Sequence, residues 1–272
     1  MDQTAITELF GRLHDYAAAA GFAVARLTGV IMILPAFTRL GATGILRSAI
    51  ALALALPIVP LLIGSLAGQS LTVTTTAILL LKEVTVGLFI GLVLGVPFWA
   101  AETAGGVLDL QRGSTSASLL DPLAMTADSI TGTLFGLVSV ALYFASGGLP
   151  LTLRIVYDSY ALWPAARFLP LFSATAGEQF LGLLDNVVRM GLMLGAPLVV
   201  CLLLADLLLA LVSRAAPNIN VFALSLSVKN LVFALLLVLY CAFLIKYMGT
   251  DLELFGTAGH RIEAIAPSAP QR

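Results

Sequence analysis

Six long apolar stretches constrain this chain more than any other feature of its sequence. They extend over Ala17–Phe37, Ser48–Gly68, Thr76–Ala104, Ile130–Leu151, Met190–Val212 and Ile219–Met248. Each is about as long as the ~20 residues that an α-helix needs to cross ~30 Å of hydrocarbon. Backbone groups in lipid must be satisfied inside the protein, which excludes open strands. The sequence therefore predicts an all-α membrane protein of about six long apolar helices, interrupted by proline and glycine.

The composition excludes several functional classes. Of the 272 residues, 60% are hydrophobic and 11% are charged, whereas a soluble domain is about half apolar and a quarter charged. A formal net charge of -1 argues against a nucleic-acid partner. Cys201 and Cys241 lie in apolar stretches and His14 and His260 lie near the termini, which predicts neither a disulfide framework nor a metal site. We therefore expect no metal and no cofactor.

Charged residues occur inside these apolar stretches. The five that lie deepest are Arg26, Lys82, Glu83, Asp206 and Lys229. A charge at the centre of a bilayer costs about 2.5–3.5 kcal/mol, so these side chains are expected to face protein, water or one another. Lys82 and Glu83 are adjacent and therefore point about 100° apart on a helix. We expect each of these two to pair with another helix or another subunit rather than with its neighbour.

A polar segment from Ala104 to Asp128 separates two apolar stretches. It is longer than the ~2–8 residues that connect helices in bundles. Gly105 and Gly106 are expected to loosen the backbone, and Arg112 with the residues after it requires polar partners. The sequence therefore predicts a functional loop over about residues 105–129 that lines an aqueous path.

A second break is predicted over about residues 214–222. Pro217 interrupts any helix at this point, while Asn218 and Asn220 can hydrogen-bond the freed backbone groups. Lys229 follows within the next apolar stretch, where it can snorkel or meet a carboxylate. The pattern predicts a broken or re-entrant helix. After residue 248 the chain becomes polar and rich in proline, so we expect one helical domain over 1–248 and a disordered tail over 249–272.

These motifs resemble the flagellar FliR and injectisome SctT family, whose members include YscT and HrcT. The resemblance rests on Gly105-Gly106, Asp109-x-Gln111-Arg112-Gly113, Asp121-Pro122, Arg214-x-x-Pro217-x-x-Asn220-Val221-Phe222 and the downstream Lys229. It extends over most of the chain and includes Pro35, Arg39, Arg47, Gly147-Gly148 and Ser159-Tyr160. Asn218 departs from the usual Gln, and Ser227-Val228 replaces a common Pro-Ile or Pro-Leu. The Ser-Leu-Ser string before Lys229 is nearer to the injectisome branch.

The resemblance implies a core subunit of a type III secretion export apparatus in the bacterial inner membrane. With R-type and S-type subunits it would form a closed helical gate for unfolded substrate proteins, next to U-type and V-type subunits and membrane lipid. The gate or plug loop would contain Gly105, Gly106, Asp109, Gln111, Arg112, Gly113, Ser114, Asp121 and Pro122. The broken-helix turn would contain Arg214, Pro217, Asn218, Asn220, Phe222 and Lys229. Arg26, Lys82, Glu83 and Asp206 would form buried charge pairs.

Two other functions stay open from the residues alone. Glu83, Asp206 and Lys229 could form the proton relay of a secondary transporter for a small solute. A membrane-embedded enzyme would need a His pair, a Ser/His/Asp set or metal-ligand spacing, and the sequence contains none of these. Asp109 and Asp121 lie in a predicted flexible loop, which is a poor basis for paired-carboxylate catalysis. The sequence therefore predicts a protein without enzymatic activity.

Overall fold

A computed structural model describes residues 3–41, 44–66, 72–113, 129–168, 176–215, 221–253, 259 and 262. Within these ranges the chain forms helices and no strand. The α-helices are α1 (Gln3–Ile33), α2 (Pro35–Thr38), α3 (Gly44–Ala55), α4 (Val59–Leu66), α5 (Val73–Arg112), α6 (Ile130–Ala145), α7 (Gly148–Leu162), α8 (Ala176–Ala215) and α9 (Val221–Glu253). Five helical segments are long and apolar enough to cross a membrane, or six if α6 and α7 count as one span. The prediction of an all-α membrane protein is confirmed.

The described chain forms two compact units. The first contains α1 to α4, the part of α5 up to Gly95, and α7. Here α1 packs along α3 and α4. The chain leaves α1 at Leu34, whose backbone is extended because the residue before a proline avoids helical angles. A turn of 3-10 helix that contains Pro57 separates α3 from α4, in agreement with the expected interruption of the apolar helices by proline.

Glycines bring α1 and α5 into backbone contact within the first unit. A Cβ at Gly87 would meet the Arg26 carbonyl oxygen, and a Cβ at Gly91 would lie 2.9 Å from the Val30 carbonyl oxygen. Gly29 of α1 faces the same crossing, where an added Cβ would lie 2.8 Å from the backbone nitrogen of Leu88. Small residues on one helix face permit this close approach.

The second unit contains the part of α5 from Val96 onward, α6, most of α8, and α9. Its apolar core includes side chains from all four helices, among them Leu108, Phe135, Leu198, Leu202 and Phe233. Pro97 lies inside α5 and Pro197 inside α8, and both helices continue past their proline.

Two predicted boundaries are wrong. The stretch predicted as Ile130–Leu151 is two helices, because Gly147 adopts φ 78° and ends the first helical run. A left-handed conformation of this kind favours glycine. The tail was predicted to begin at residue 249, but α9 continues to Glu253. Beyond α9 only residues 259 and 262 are described, and Ile262 is 1% exposed.

Candidate functional site

A buried charge cluster joins three helices of the first unit. Arg26 of α1 donates from Nε to Glu83 Oε2 of α5 at 2.6 Å, and both side chains are fully buried. The Arg26 guanidinium also donates to Ser159 Oγ of α7 at 2.8 Å and to the carbonyl oxygen of Trp163 at 2.8 Å. One arginine thus binds α1 to α5, to α7 and to the residues that follow α7. We call this set, together with Lys82, the inner charge cluster.

Glu83 pairs with Arg26 of another helix, as expected, but Lys82 and Glu83 also form an ion pair with each other, which their spacing did not predict. Lys82 Nζ lies 2.5 Å from Glu83 Oε1 and also donates to the carbonyl oxygens of Pro164 and Ala165 at 2.9 Å and 3.1 Å. The physical reason is the length of the lysine side chain, which turns its ammonium group toward the glutamate although the two Cβ atoms diverge. The carbonyl groups hold that ammonium in place. Spacing rules for exposed helix faces do not apply in such a buried pocket.

The inner charge cluster contains two cations and one carboxylate. Backbone carbonyl dipoles after α7 and the ring of Tyr160 offset the excess positive charge. The Arg26 Cζ atom lies 3.5 Å from the centroid of the Tyr160 ring, and an aromatic face attracts a cation at this distance. Each charged group of the cluster therefore has polar partners within the first unit.

The end of α5 differs from the loop that the sequence predicted. Residues 105 to 112 are helical, and the helix ends only where Gly113 adopts φ 77°. Gly105 does not loosen the backbone: it allows α6 to approach, since an added Cβ would meet the Gly132 backbone nitrogen. A Cβ on Gly106 would meet nothing within 4 Å. Residues 105–112 therefore belong to α5, and the prediction that a loop begins near residue 105 is wrong.

Asp109 connects the end of α5 to the start of α6. Its Oδ2 accepts hydrogen bonds from the Ser129 hydroxyl at 2.6 Å and from the Thr131 backbone N–H at 3.0 Å, while Oδ1 accepts from the Thr131 hydroxyl at 2.5 Å. Ser129 is also the N-cap of α6, where its Oγ accepts from Gly132 N–H at 2.8 Å. A carboxylate at a helix N-terminus is stabilised by the free N–H groups and the helix dipole. We call Asp109, Arg112, Ser129 and Thr131 the junction cluster.

Arg112 completes the junction cluster. Its Nη2 lies 2.6 Å from Asp109 Oδ1 and donates to Thr131 Oγ1 at 3.1 Å. The guanidinium carbon lies 4.5 Å from the centroid of the Phe233 ring on α9. Arg112 therefore joins the α5–α6 junction to α9 by charge and by cation–π contact.

A third polar contact joins α5, α8 and α9 in the second unit. Lys229 Nζ lies 3.0 Å from Asp206 Oδ1 and donates to the Gln111 carbonyl oxygen at 2.9 Å. The Gln111 side chain donates weakly to Asp206 Oδ2 at 3.4 Å. Asp206 keeps 38% of its side chain exposed and Lys229 keeps 13%, so this pair is partly open to its surroundings.

The other predicted residues lie near the ends of α8 and α9 or outside the described residues. Arg214 lies exposed in the last turn of α8, and the backbone of Phe222 lies in the first turn of α9. α8 ends at Ala215 and α9 begins at Val221, and residues 216–220, where the sequence predicted the break, lie outside the described residues. The remaining predicted residues lie outside the described residues: Ser114, Asp121, Pro122, Pro217, Asn218 and Asn220.

Sequence reasoning missed the neutral groups that complete both clusters. Ser129 and Thr131 were not singled out, and Ser159 and Tyr160 entered only as part of the family pattern. The signal available for Ser129 was its place just before an apolar helical stretch, which is typical of an N-cap. The carbonyl groups of Trp163, Pro164 and Ala165 carry no side-chain signal. No group of three His, Cys, Asp or Glu residues that could hold a metal ion occurs in the described part of the chain.

Comparison with known proteins assigns the sequence of this chain to one family. Residues 17–255 match the family described as bacterial export proteins, family 1. The chain is 36% identical over 220 residues to the Yop proteins translocation protein T of Yersinia pestis, which covers 79% of this chain and 83% of that protein. It is 31% identical over 233 residues to the surface presentation of antigens protein SpaR of Salmonella typhimurium, covering 85% and 86%. The flagellar biosynthetic protein FliR of Bacillus subtilis is 27% identical over 162 residues, covering 59% and 62%.

The match covers α1 from residue 17 onward and all of α2 to α9, and it therefore includes parts of both compact units. The injectisome relatives are more similar to the chain than the flagellar relative, in identity and in coverage. The chain belongs to the bacterial export protein family 1.

Proposed function

We propose that this chain is a core subunit of a type III secretion export apparatus in the bacterial inner membrane, on the injectisome side of its family. The observation that carries the proposal is the match of residues 17–255 to the export family, together with relatives named for Yop translocation. Five helical segments long and apolar enough to cross a membrane agree with that location. In this role the chain helps to form a closed conduit for unfolded substrate proteins.

The proposal assigns the chain a structural role rather than an enzymatic one. The inner charge cluster holds α1, α5 and α7 together, and the junction cluster holds α5, α6 and α9 together. Buried ion pairs of this kind contribute specificity of arrangement more than net stability. A subunit that must keep a conduit closed requires such a defined arrangement of its helices.

The exposed apolar surface of α8 is evidence that other subunits contact this helix. Large aliphatic side chains are exposed along α8 from Leu184 to Val212. At 1.5 Å per residue this face is about 42 Å long. A bilayer core of ~30 Å covers only about 32 Å of a helix at the average tilt of ~20°. Protein must cover the remainder, and we propose R-type and S-type subunits as the first partners, with U-type and V-type subunits beyond them.

The segment after Gly113 is proposed as the plug-like part of the gate. Support comes from the described residues on either side of it. Asp109 binds Arg112 before the segment and Ser129 and Thr131 after it, so both ends of residues 114–128 are held at one point. A segment whose two ends are held at one point can reach only positions near that point.

Shortening residues 114–118 is expected to let small ions leak through the assembled complex. The physical reason is that a shorter segment fills less of the conduit while its ends remain fixed by Asp109. Ion conductance of the purified complex in planar bilayers measures the effect. A control variant replaces the five residues by glycine and serine at the same length. Conductance equal to that of the unaltered complex would contradict the plug assignment.

Purification from the native host tests the proposed function as a whole. A tagged chain is extracted in mild detergent, and the co-purifying membrane proteins are identified by mass. We expect a large complex that contains R-type and S-type subunits in fixed ratio to the tagged chain. A monomer or a homodimer without these subunits would contradict the proposal.

The transporter alternative has less support from the geometry. A proton relay requires acids that can exchange protons with water, but Glu83 is fully buried and held by both Arg26 and Lys82. Asp206 is paired with Lys229 in the second unit. Uptake of a solute into liposomes that contain the purified chain alone would restore that alternative.

A further inference from the structure

We propose that Asp185 and Arg189 of α8 form a charge-specific docking face for one helix of another membrane subunit. That partner helix carries a basic and an acidic residue one turn apart, among apolar side chains. The inference rests on the proposed function, because it identifies the part of the chain that a partner subunit occupies. It concerns only α8 and α9 within the second unit.

The two charged side chains are exposed and make no ion pair with each other. Asp185 and Arg189 are separated by one helical turn, with the acid on the N-terminal side, which is the favourable order for a helical ion pair. Neither forms a salt bridge or a side-chain hydrogen bond within the described part of the chain. Their charges are therefore available to a partner.

A surface groove of about 590 Å³ lies against these two residues. Asn186, Leu192 and Met193 also line it. Tyr247 of α9 lies beside it, where its hydroxyl donates to the Met193 sulfur at 3.8 Å. The groove thus combines opposite charges, an amide and flexible apolar side chains on one helix face.

Covering this face with lipid alone or with water alone would be unfavourable. A lipid surface would have to accept two charges that have no partner on this helix face, and charges facing hydrocarbon are costly. A solvated face would leave Leu184 and Val188, which are 67% and 47% exposed, in contact with water beside Leu192 and Met193. Arginine, methionine and apolar side chains together are typical of the core of a protein interface.

Charge complementarity determines the chemistry of the occupant. A carboxylate on the partner helix faces Arg189, and an ammonium or guanidinium group faces Asp185. Apolar side chains of the partner fill the space between Leu192 and Met193. Opposite charges arranged in this way select one partner and one register, since a helix with the reverse order would place like charges together.

A charge exchange tests the docking face in the native complex. The double variant Asp185→Arg with Arg189→Asp keeps the net charge and the helix but reverses the charge order. We expect recovery of the neighbouring export subunits with the tagged chain to fall by at least about tenfold, because two like-charge contacts replace two attractive ones. Recovery is measured by mass spectrometry after purification in mild detergent.

A matched control is available on α7. Arg154 and Asp158 form an exposed pair, also one turn apart, whose side chains are 79% and 74% exposed. Exchanging them as Arg154→Asp with Asp158→Arg is expected to leave recovery unchanged. A second test variant, Asp185→Asn with Arg189→Gln, keeps the side-chain shapes and is expected to reduce recovery less than the exchange does.

Different results would overturn the docking face and the proposed function. Recovery of the neighbouring subunits at the unaltered level with both α8 variants would overturn the docking face while leaving the export-subunit proposal intact. Equal losses for the α7 and α8 exchanges would also overturn it, because they would show a general effect of charge. If the unaltered chain recovers no export subunit, the proposed function fails, and the docking face fails with it.

Discussion

Replacing Glu83 by glutamine is expected to destabilise the chain by about 3–5 kcal/mol, the range found when one partner of a buried ion pair is removed. The amide would leave Arg26 and Lys82 buried side by side without the carboxylate that now binds both. The free energy of unfolding in mild detergent, followed by helix content during denaturant titration, measures the loss. The effect is large because no solvent reaches the side chains of Arg26 and Glu83.

The matched control is the exposed pair of α7. Asp158→Asn removes a carboxylate that lies 3.7 Å from Arg154 near the surface, and such pairs contribute at most about 1 kcal/mol. A Glu83→Gln variant that unfolds at the same denaturant concentration as Asp158→Asn would show that the inner charge cluster does not hold α1, α5 and α7 together. Loss of the variant during expression agrees with the prediction, provided that Asp158→Asn is produced normally.

Alanine is expected to have opposite effects at Gly105 and Gly106. A Cβ at Gly105 would meet the backbone of α6, with the Gly132 Cα atom and the Thr131 carbonyl carbon at 2.5 Å each. Backbone atoms cannot rotate away, so the helices must separate, and overpacking of this kind costs about 1–3 kcal/mol or more. At Gly106 a Cβ meets nothing within 4 Å, and alanine there stabilises the helix by up to about 1 kcal/mol.

Thermal unfolding of the two variants in the same detergent measures this difference. The chemical change is identical and the positions are adjacent in α5, so helix propensity and detergent effects cancel. Equal midpoints for Gly105→Ala and Gly106→Ala would contradict the close approach of α5 and α6. A lower midpoint for Gly105→Ala alone would agree with it, and would also support a continuous helix through these glycines rather than a loosened backbone.

The need for charge pairing was predictable from the sequence, but the pairs were not. Arg26, Glu83 and Asp206 inside apolar stretches required partners because isolated charges are costly there. The choice of Glu83 for Arg26 depends on a crossing of α1 and α5 that joins residues 57 positions apart. The pairing of Lys82 with Glu83 was not expected, because the rule for neighbouring residues ignores the length of a lysine side chain in a closed pocket.

The glycines of α5 permit close helix packing rather than forming a loop. Gly87 and Gly91, four residues apart in the sequence, bring the backbone of α5 into contact with α1. Gly105-Gly106 was interpreted as a loop because polar residues follow it. The helix continues to Arg112 since Gly105 packs on α6 and Asp109 receives hydrogen bonds from the start of α6. Local composition cannot reveal a partner that comes from a later part of the chain.

The sequence by itself determined the helical membrane class, the need to pair internal charges, and the family. Each of these follows from length, hydrophobicity or local motifs, which act over a few helical turns. Only the tertiary structure decided that Arg26 is shared among three helices and that Asp109 holds both ends of residues 114–128. It also decided that Asp185 and Arg189 have no ion-pair partner among the described residues. The physical reason is that these contacts depend on which helices cross, at what height and with what rotation, and short-range patterns carry no information about those quantities.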